Sequence, residues 1–193
     1  MSPIHLYLTR HGRTHWNELG RFQGHTDVPL DAVGRAQARA LAQTLVGRID
    51  AVIASDLLRA SETARIVTDA LALPAPTLDA DLRERGYGVF EGLTPSLCAD
   101  RFPEQWAQRL RVRDHEPPGG EPRALVVARM QRALERAVTS LRAAGCGHAL
   151  VVSHGSCMRM FLETLSQETV ISIANLESRE VVHGADGFQL VPC

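Results

Sequence analysis

The stretch Leu6-Tyr-Leu-Thr-Arg-His-Gly12 decides how this chain is read. The apolar run from Ile4 to Leu8 has the length of a short buried strand and predicts an end at Thr9. Arg10, His11 and Gly12 then fall in the loop at the strand's carboxyl edge. In an open parallel α/β sheet, ligands bind at that edge. A permanent cation, an imidazole and a conformationally permissive glycine placed there suggest a nucleophile held beside an anion.

Working outward, Ala149-Leu-Val-Val152 is a second apolar run, and it ends in Ser153-His-Gly155. If the two strands are neighbours, both imidazoles converge on one point, and each glycine lets backbone N–H groups approach a ligand. Ala51-Val-Ile-Ala54 reads as another buried strand, with Ser55-Asp56 as loop and helix cap and Arg59 in the first helical turn. A guanidinium there faces the same sheet edge, with the positive end of the helix behind it. Arg10, Arg59, His11 and His154 would concentrate positive charge on a chain whose formal net charge is -1. Phosphate matches such a pocket, because Arg grips tetrahedral oxyanions with paired donors.

Between these runs, Asp31 caps a helix that Gly47 ends, and a second helix runs from the Asp56 cap to about Leu73 before Pro74. Thr77 and Leu78 form a short strand. From Asp79 to Gly120 the pattern loosens, with helical pieces between Thr94 and Arg113; residues 91–121 read as an insertion over the sheet edge. Pro122 opens a long helix to about Ala144, with Val127, Met130, Leu134, Val138 and Leu141 as its buried stripe. Val170 to Ile173, Glu180 to Val182 and Phe188 to Val191 read as edge strands. Successive strand–loop–helix units imply parallel strands with right-handed crossovers. The expected fold is a three-layer α/β/α sandwich around a mostly parallel sheet, in a single domain over residues 1–193.

Composition narrows the partners. All 21 basic residues are Arg, which a coding bias explains as well as a ligand does, so position must decide among them. The small net charge gives no global field toward nucleic acid or anionic membrane. The four cysteines lack CxxC spacing and read as free thiols; with no signal-peptide pattern and no bilayer-length apolar run, a cytoplasmic protein is expected. Eight histidines show no HxH, HExxH or Cys/His ligand spacing, so neither a metal nor another cofactor is expected. His15 and His25 are candidates for the pocket rim. His115, His148 and His183 read as loop residues, and Cys157 as a buried helix thiol near the site.

Five blocks, in order, carry a family resemblance: Thr9-Arg-His-Gly-Arg-Thr-His-Trp-Asn17; Arg21-Phe-Gln-Gly24 with Asp27-Val-Pro-Leu30; Ser55-Asp-Leu-Leu-Arg59 with Thr63-Ala64; Leu82-Arg-Glu-Arg-Gly-Tyr-Gly88 with Glu91-Gly92; and Ser153-His-Gly155. Together they resemble the histidine phosphatase superfamily, which includes cofactor-dependent phosphoglycerate mutase, and especially its shorter phosphatases such as alpha-ribazole phosphatase. The resemblance implies a phosphoglycerate mutase-like fold. It implies His11 as the nucleophile that becomes phosphohistidine and Glu84 as the general acid. Arg10, Arg59 and His154 would hold the phosphoryl oxygens, with Asn17, Gln23, Gly24 and Gly155 lining the phosphate side. His154 is expected as a cationic imidazole beside a neutral His11.

Without the resemblance, Glu84 between Arg83 and Arg85 reads as a surface ion pair; Glu91 is the other candidate acid. The family holds hydrolases and mutases. The short 91–121 segment resembles that of the phosphatases, so the expected function is metal-independent hydrolysis of small phosphomonoesters by a monomer or homodimer. The alternatives are phosphoglycerate mutase-type transfer and a non-catalytic phosphate- or phosphopeptide-binding module. Pro122 and Ser156-Cys157 depart from the family pattern near the leaving-group side. Arg109, Arg111 and Arg113 read as a solvated helix face, or as cations for a second substrate anion.

Overall fold

The computed structural model describes residues 2–166, 169 and 172–192. In chain order the elements are β1 (Ile4–Arg10), α1 (His15–Glu18), α2 (Ala32–Thr44), β2 (Ala51–Ala54), α3 (Leu58–Leu71), β3 (Thr77–Leu78), α4 (Pro95–Arg101), α5 (Pro103–Arg111), α6 (Arg123–Ala143), β4 (His148–Ser153), α7 (Gly155–Leu165), β5 (Ser178–Gly184) and β6 (Gly187–Leu190). Two 3-10 turns, Ala80–Leu82 and Gly88–Phe90, lie between β3 and α4. The sheet has six strands in the order β3-β2-β4-β1-β5-β6. β3, β2, β4 and β1 pair in parallel, while β5 runs antiparallel to β1 and β6 antiparallel to β5.

The period-two alternation of each strand builds the layers. Leu6, Leu8, Ala149 and Val151 point to the face covered by α6 and α7. Tyr7, Leu150, Val152 and Ala54 point to the face covered by α2 and α3. The chain leaves β1 toward α2 on one face and leaves β4 toward α7 on the other, which opens a crevice between two adjacent strand ends. A third apolar cluster stands apart from the sheet: Tyr87, Phe90, Leu93 and Cys98, joined by Phe22, Phe102 and Trp106. It ties the loop after β1 to α4 and α5, within the segment read as an insertion.

Several local expectations need correction. β1 continues through Thr9 and Arg10 because these residues keep pairing with Val152 and Ser153. Asp31 does cap α2, accepting from Gly34 N–H at 2.7 Å, but Asp56 does not cap α3. The α3 N-terminus instead donates Leu58 N–H to Asp27 at 2.6 Å, and Asp56 pairs with Arg83. α3 ends at Leu71 with Ala72 in the left-handed region, earlier than Pro74 required. The buried stripe of α6 begins at Val126 rather than Val127 and includes Arg129. β5 is interior, since it pairs on both sides; of these two C-terminal strands, β6 alone is an edge. His148 and His183 lie in strands, not loops. In the expected strand from Val170 to Ile173, the first two residues lie outside the described ones, and Ser172 and Ile173 have no regular structure. No described helix is long and apolar enough to cross a membrane.

Candidate active site

β1 and β4 are in register, Arg10 opposite Ser153, so His11 and His154 leave the sheet at the same level. Their ring centroids are 5.1 Å apart. His11 N–H donates to Ser153 C=O at 3.0 Å, extending the ladder by one bond and fixing the backbone under the imidazole. Gly12 is required by a close approach: a Cβ there would lie 2.6 Å from Gly34 C=O in α2. Gly34 is equally constrained, because its own Cβ would lie 2.1 Å from Arg13 C=O. Gly12 N–H is held by Thr63 Oγ1 at 3.1 Å.

The two imidazoles have defined tautomers. His11 Nδ1–H donates to Gly12 C=O at 2.7 Å, which leaves Nε2 as the lone-pair nitrogen. Arg59 Nε–H donates to His154 Nδ1 at 3.2 Å, so the His154 proton sits on Nε2. Burial, then Arg59 and Arg10, hold the His11 pKa well below its usual 6.5. Burial, then Arg59 and His11, do the same for His154. His154 is therefore neutral rather than the expected cation: a buried imidazole accepting from one guanidinium and beside a second has no favourable place for another proton.

The charge around them is cationic. Arg59 is fully buried; its guanidinium donates to Gly24 C=O at 2.7 Å, Thr26 C=O at 2.9 Å and His154. Arg10 donates to Ile173 C=O at 2.7 Å. Neither has a carboxylate ion pair among the described residues. Burial lowers the pKa of each guanidinium, but Arg remains charged. Two buried atoms here, Arg10 Nε and His154 Nε2, have no hydrogen-bond partner among the described residues. Carboxylates, Glu84 foremost, act on the two guanidinium groups only at a distance, so the arrangement is suited to an anion in direct contact.

Glu84 comes from the loop after the first 3-10 turn and is 9% exposed. Its carboxylate accepts N–H groups from Arg85 at 2.8 Å and from Ser156 and Cys157 at 3.0 Å each. It thus caps α7, whose own N-cap His154 offers no side-chain bond. The flanking arginines do not pair with it: Arg83 binds Asp56, and Arg85 donates to the carbonyls of Asp114, His115 and Glu121. Arg129 secures the loop from α6, donating to the carbonyls of Asp81, Arg83 and Glu84 and to the Glu121 carboxylate. Glu91, the other candidate acid, is consumed elsewhere. It accepts from the N–H groups of His25, Thr26 and Tyr87 and from the Thr26 hydroxyl. Burial raises its pKa and these bonds outweigh that, holding it low.

These groups surround a cleft of about 220 Å³ lined by Arg10, His11, Asn17, Arg21, Phe22, Gln23, Arg59, Glu84, Tyr87, Gly155, Ser156, Arg159, Ser172 and Ile173. Of the residues singled out in the sequence, His154 lies beneath this wall and Gly24 behind it, where the Gly24 carbonyl holds Arg59. Gly24 has positive φ, and a Cβ would overlap the Glu91 carboxylate. Gln23 accepts from Thr14 Oγ1 at 3.1 Å, and Asn17 from Thr14 N–H at 3.0 Å, which orients both amides at the wall. His25 binds Glu84 C=O at 2.8 Å and His15 pairs with Glu18; neither lines the cleft. Ser156, noted in the sequence only as a departure on the leaving-group side, does line the cleft; Tyr87 and Arg159 were not singled out for the pocket, and only the third dimension brings them here. No group of three or more His, Cys, Asp or Glu among the described residues is placed to hold a metal ion.

The family model of the histidine phosphatase superfamily (branch 1) matches residues 6–191. A bifunctional protein of Mycobacterium tuberculosis is 38% identical over 163 residues, covering 83% of this chain; the chain spans only 44% of that protein's length. The 2,3-bisphosphoglycerate-dependent phosphoglycerate mutase 2 of Gloeobacter violaceus is 35% identical over 94% of this chain and 87% of its own. Among solved structures, the mycobacterial glucosyl-3-phosphoglycerate phosphatase, in complex with VO3, superposes with a TM-score of 0.85 at 25% identity, covering 100% of this chain and 99% of that one. On the strength of the family match over nearly its whole length, the chain belongs to the histidine phosphatase superfamily.

Proposed function

We propose that this protein is a metal-independent phosphatase that hydrolyses small phosphomonoesters through a phosphohistidine on His11. One observation carries the reading: a neutral imidazole with its Nε2 lone pair available stands beside the fully buried Arg59 and the partly buried Arg10, neither ion-paired to a carboxylate among the described residues, and two unpartnered buried nitrogens. In the first step His11 Nε2 forms a bond to phosphorus while the ester P–O bond breaks, and Glu84 gives its proton to the departing oxygen. In the second step water adds to phosphorus with its proton passing to Glu84, and the N–P bond breaks. Splitting the displacement replaces one hard step by two easier ones.

Arg10 Nε, His154 Nε2 and the remaining Arg59 N–H groups meet the equatorial oxygens, where transition-state charge is spread. Asn17, Gln23 and the Gly155 N–H complete that shell. Gly24 acts through Arg59 rather than by touching the ligand. The cleft volume supports a small leaving group, with the 91–121 segment as its outer wall. The free thiols of Cys98, Cys146 and Cys157 support the cytoplasmic setting.

The test is p-nitrophenyl phosphate turnover with EDTA present, together with brief exposure to radiolabelled substrate. The expected result is turnover and an acid-labile, base-stable label that His11→Ala abolishes. Labelling of His11→Ala equal to the parent would displace His11 as nucleophile. The mutase name of the Gloeobacter relative supports a second reading, phosphoryl transfer between hydroxyls of phosphoglycerate. Rapid isomerisation of 3-phosphoglycerate with negligible hydrolysis would establish it instead.

A further inference from the structure

Residues 173–177, which lead into β5, stay tied to the end of β1 beyond the last residue pair of the two strands, Thr9 with Ser178. Arg10 N–H donates to Glu177 C=O at 3.2 Å, and Leu176 N–H donates to Arg10 C=O at 3.0 Å. The Asn175 side chain then donates Nδ2–H to His11 C=O at 2.8 Å, and the same nitrogen lies 3.5 Å from Asn17 Oδ1 on the cleft wall. A carbonyl oxygen only accepts, so the amide presents its NH2 side to His11. The turn that brings it there is strained. Leu176 has φ 60, in the left-handed region that a leucine rarely adopts. Glu177 clamps that shape: its carboxylate accepts Ala174 N–H at 2.6 Å, and its own N–H donates to Ala174 C=O at 3.1 Å. Strain of this kind persists where surrounding contacts over-determine the backbone.

What the amide holds is the peptide between His11 and Gly12. The N–H end of that plane, on Gly12, is held from α3 by Thr63 Oγ1 at 3.1 Å, and the C=O end, on His11, is held by Asn175. No other side chain donates to His11 C=O among the described residues. With the plane fixed at both ends, Gly12 is fixed too, and its own carbonyl accepts His11 Nδ1–H at 2.7 Å. The contacts therefore run from Asn175 through the peptide and the Gly12 carbonyl to the ring that keeps its lone pair on Nε2. Asn175 is not among the residues that line the cleft, so it acts through His11. We propose that Asn175 is a positioning residue for the candidate nucleophile, fixing the tautomer and direction of the His11 ring through the His11–Gly12 peptide. This rests on the role given to His11 above.

The experiment follows the rate at which radiolabelled p-nitrophenyl phosphate marks the protein. In Asn175→Ala, labelling is expected to slow by about 10- to 100-fold, the scale of a small misplacement of a reacting group, while calorimetric binding of inorganic phosphate, governed by the arginines, stays within about threefold of the parent. Nitrogen NMR of the His11 ring is a second readout and needs no turnover. The parent is expected to show the proton on Nδ1, and Asn175→Ala a mixture of tautomers. Asn175→Asp keeps the size of the side chain and replaces its donor by acceptors, so it should reproduce the slower labelling and the mixture. Parent-like labelling, or an unchanged tautomer, in both variants would overturn the proposal. So would labelling and phosphate affinity that fall together in step with Tm, the mark of a purely structural role, and so would failure of both variants to fold. If the parent itself takes no label, the phosphatase reading falls and the tautomer decides alone. A mixture in either variant then sustains Asn175 as the residue that sets the ring, and a proton unchanged on Nδ1 discards it.

Discussion

At one end of the cleft, His11 and His154 leave adjacent parallel strands in register, and backbone carbonyls of Gly24, Thr26 and Ile173 hold the two arginines beside them. At the other end, Phe22, Tyr87 and Trp106 form a wall through ring contacts, with the Phe22 ring centroid 5.0 Å from Tyr87 and 6.1 Å from Trp106. The first end is positioned by sheet register and hydrogen bonds of fixed direction. The second is positioned by packing in a small cluster separate from the two that sandwich the sheet. Packing tolerates changes of shape better than a hydrogen-bonded constellation tolerates a change of partner. Under the proposed function, the wall could therefore be altered to suit another alcohol while the phosphoryl chemistry stays in place.

The largest effect that tests this division is at Glu84, which belongs to the phosphate end but is proposed to serve the leaving group. Glu84→Gln is expected to lower kcat on an alkyl phosphate by about 10²- to 10⁴-fold, the usual worth of a general acid. On p-nitrophenyl phosphate, whose leaving group departs readily without a proton, the loss should be far smaller. Equal losses on both substrates would mean that Glu84 matters as the cap of α7 rather than as an acid.

A second effect, on stability, follows from the two buried histidines. Their folded-state pKa values lie well below 6.5, so the unfolded chain binds protons more readily. The stabilisation is full above the unfolded value of 6.5 and declines as pH falls below it. Thermal unfolding should show Tm decreasing from pH 7 to pH 5, before most carboxylates titrate, and the slope should flatten in His11→Gln. A Tm independent of pH across that interval would show that the imidazoles are not held neutral. Under the proposed mechanism, the same depression would keep His11 competent as a nucleophile on the acid side of 6.5.

The smallest effect lies at the other end. The Arg109 guanidinium sits 5.0 Å from the Phe22 ring centroid and 5.6 Å from that of Tyr87. Arg109→Ala should cost about 1 kcal/mol, read from the urea midpoint, because the site is partly exposed. Phosphohistidine formation should persist in this variant. Its loss would couple the wall to the chemistry and break the distinction between the two ends.

Legibility in the sequence follows the same boundary. The strand endings at His11 and His154 were readable because apolar runs locate buried strands, and a residue just past such a run has little freedom of position. Arg59 was readable from its place in a first helical turn. Arg129 was not, because an arginine on an apolar helix stripe reads as an interruption until the carbonyls that bind it are seen converging. The neutral state of His154 was hidden for a similar reason: it depends on which Arg59 nitrogen meets which ring nitrogen. Tyr87 and Ser156 are 69 residues apart and meet only through the packing of the wall on α7. Sequence spacing carries no trace of that contact.

The back-to-back approach of Gly12 and Gly34 has a consequence for engineering. Glycine inside a helix costs about 1 kcal/mol relative to alanine, so position 34 would rank high in any scheme for stiffening α2 by raising helix propensity. Here that gain is closed off. A methyl group at Gly34 would collide with Arg13 C=O and displace the loop that carries His11. Thermostability and the placement of His11 thus compete for one hydrogen atom, and a library that optimises the helix alone would select against the candidate site.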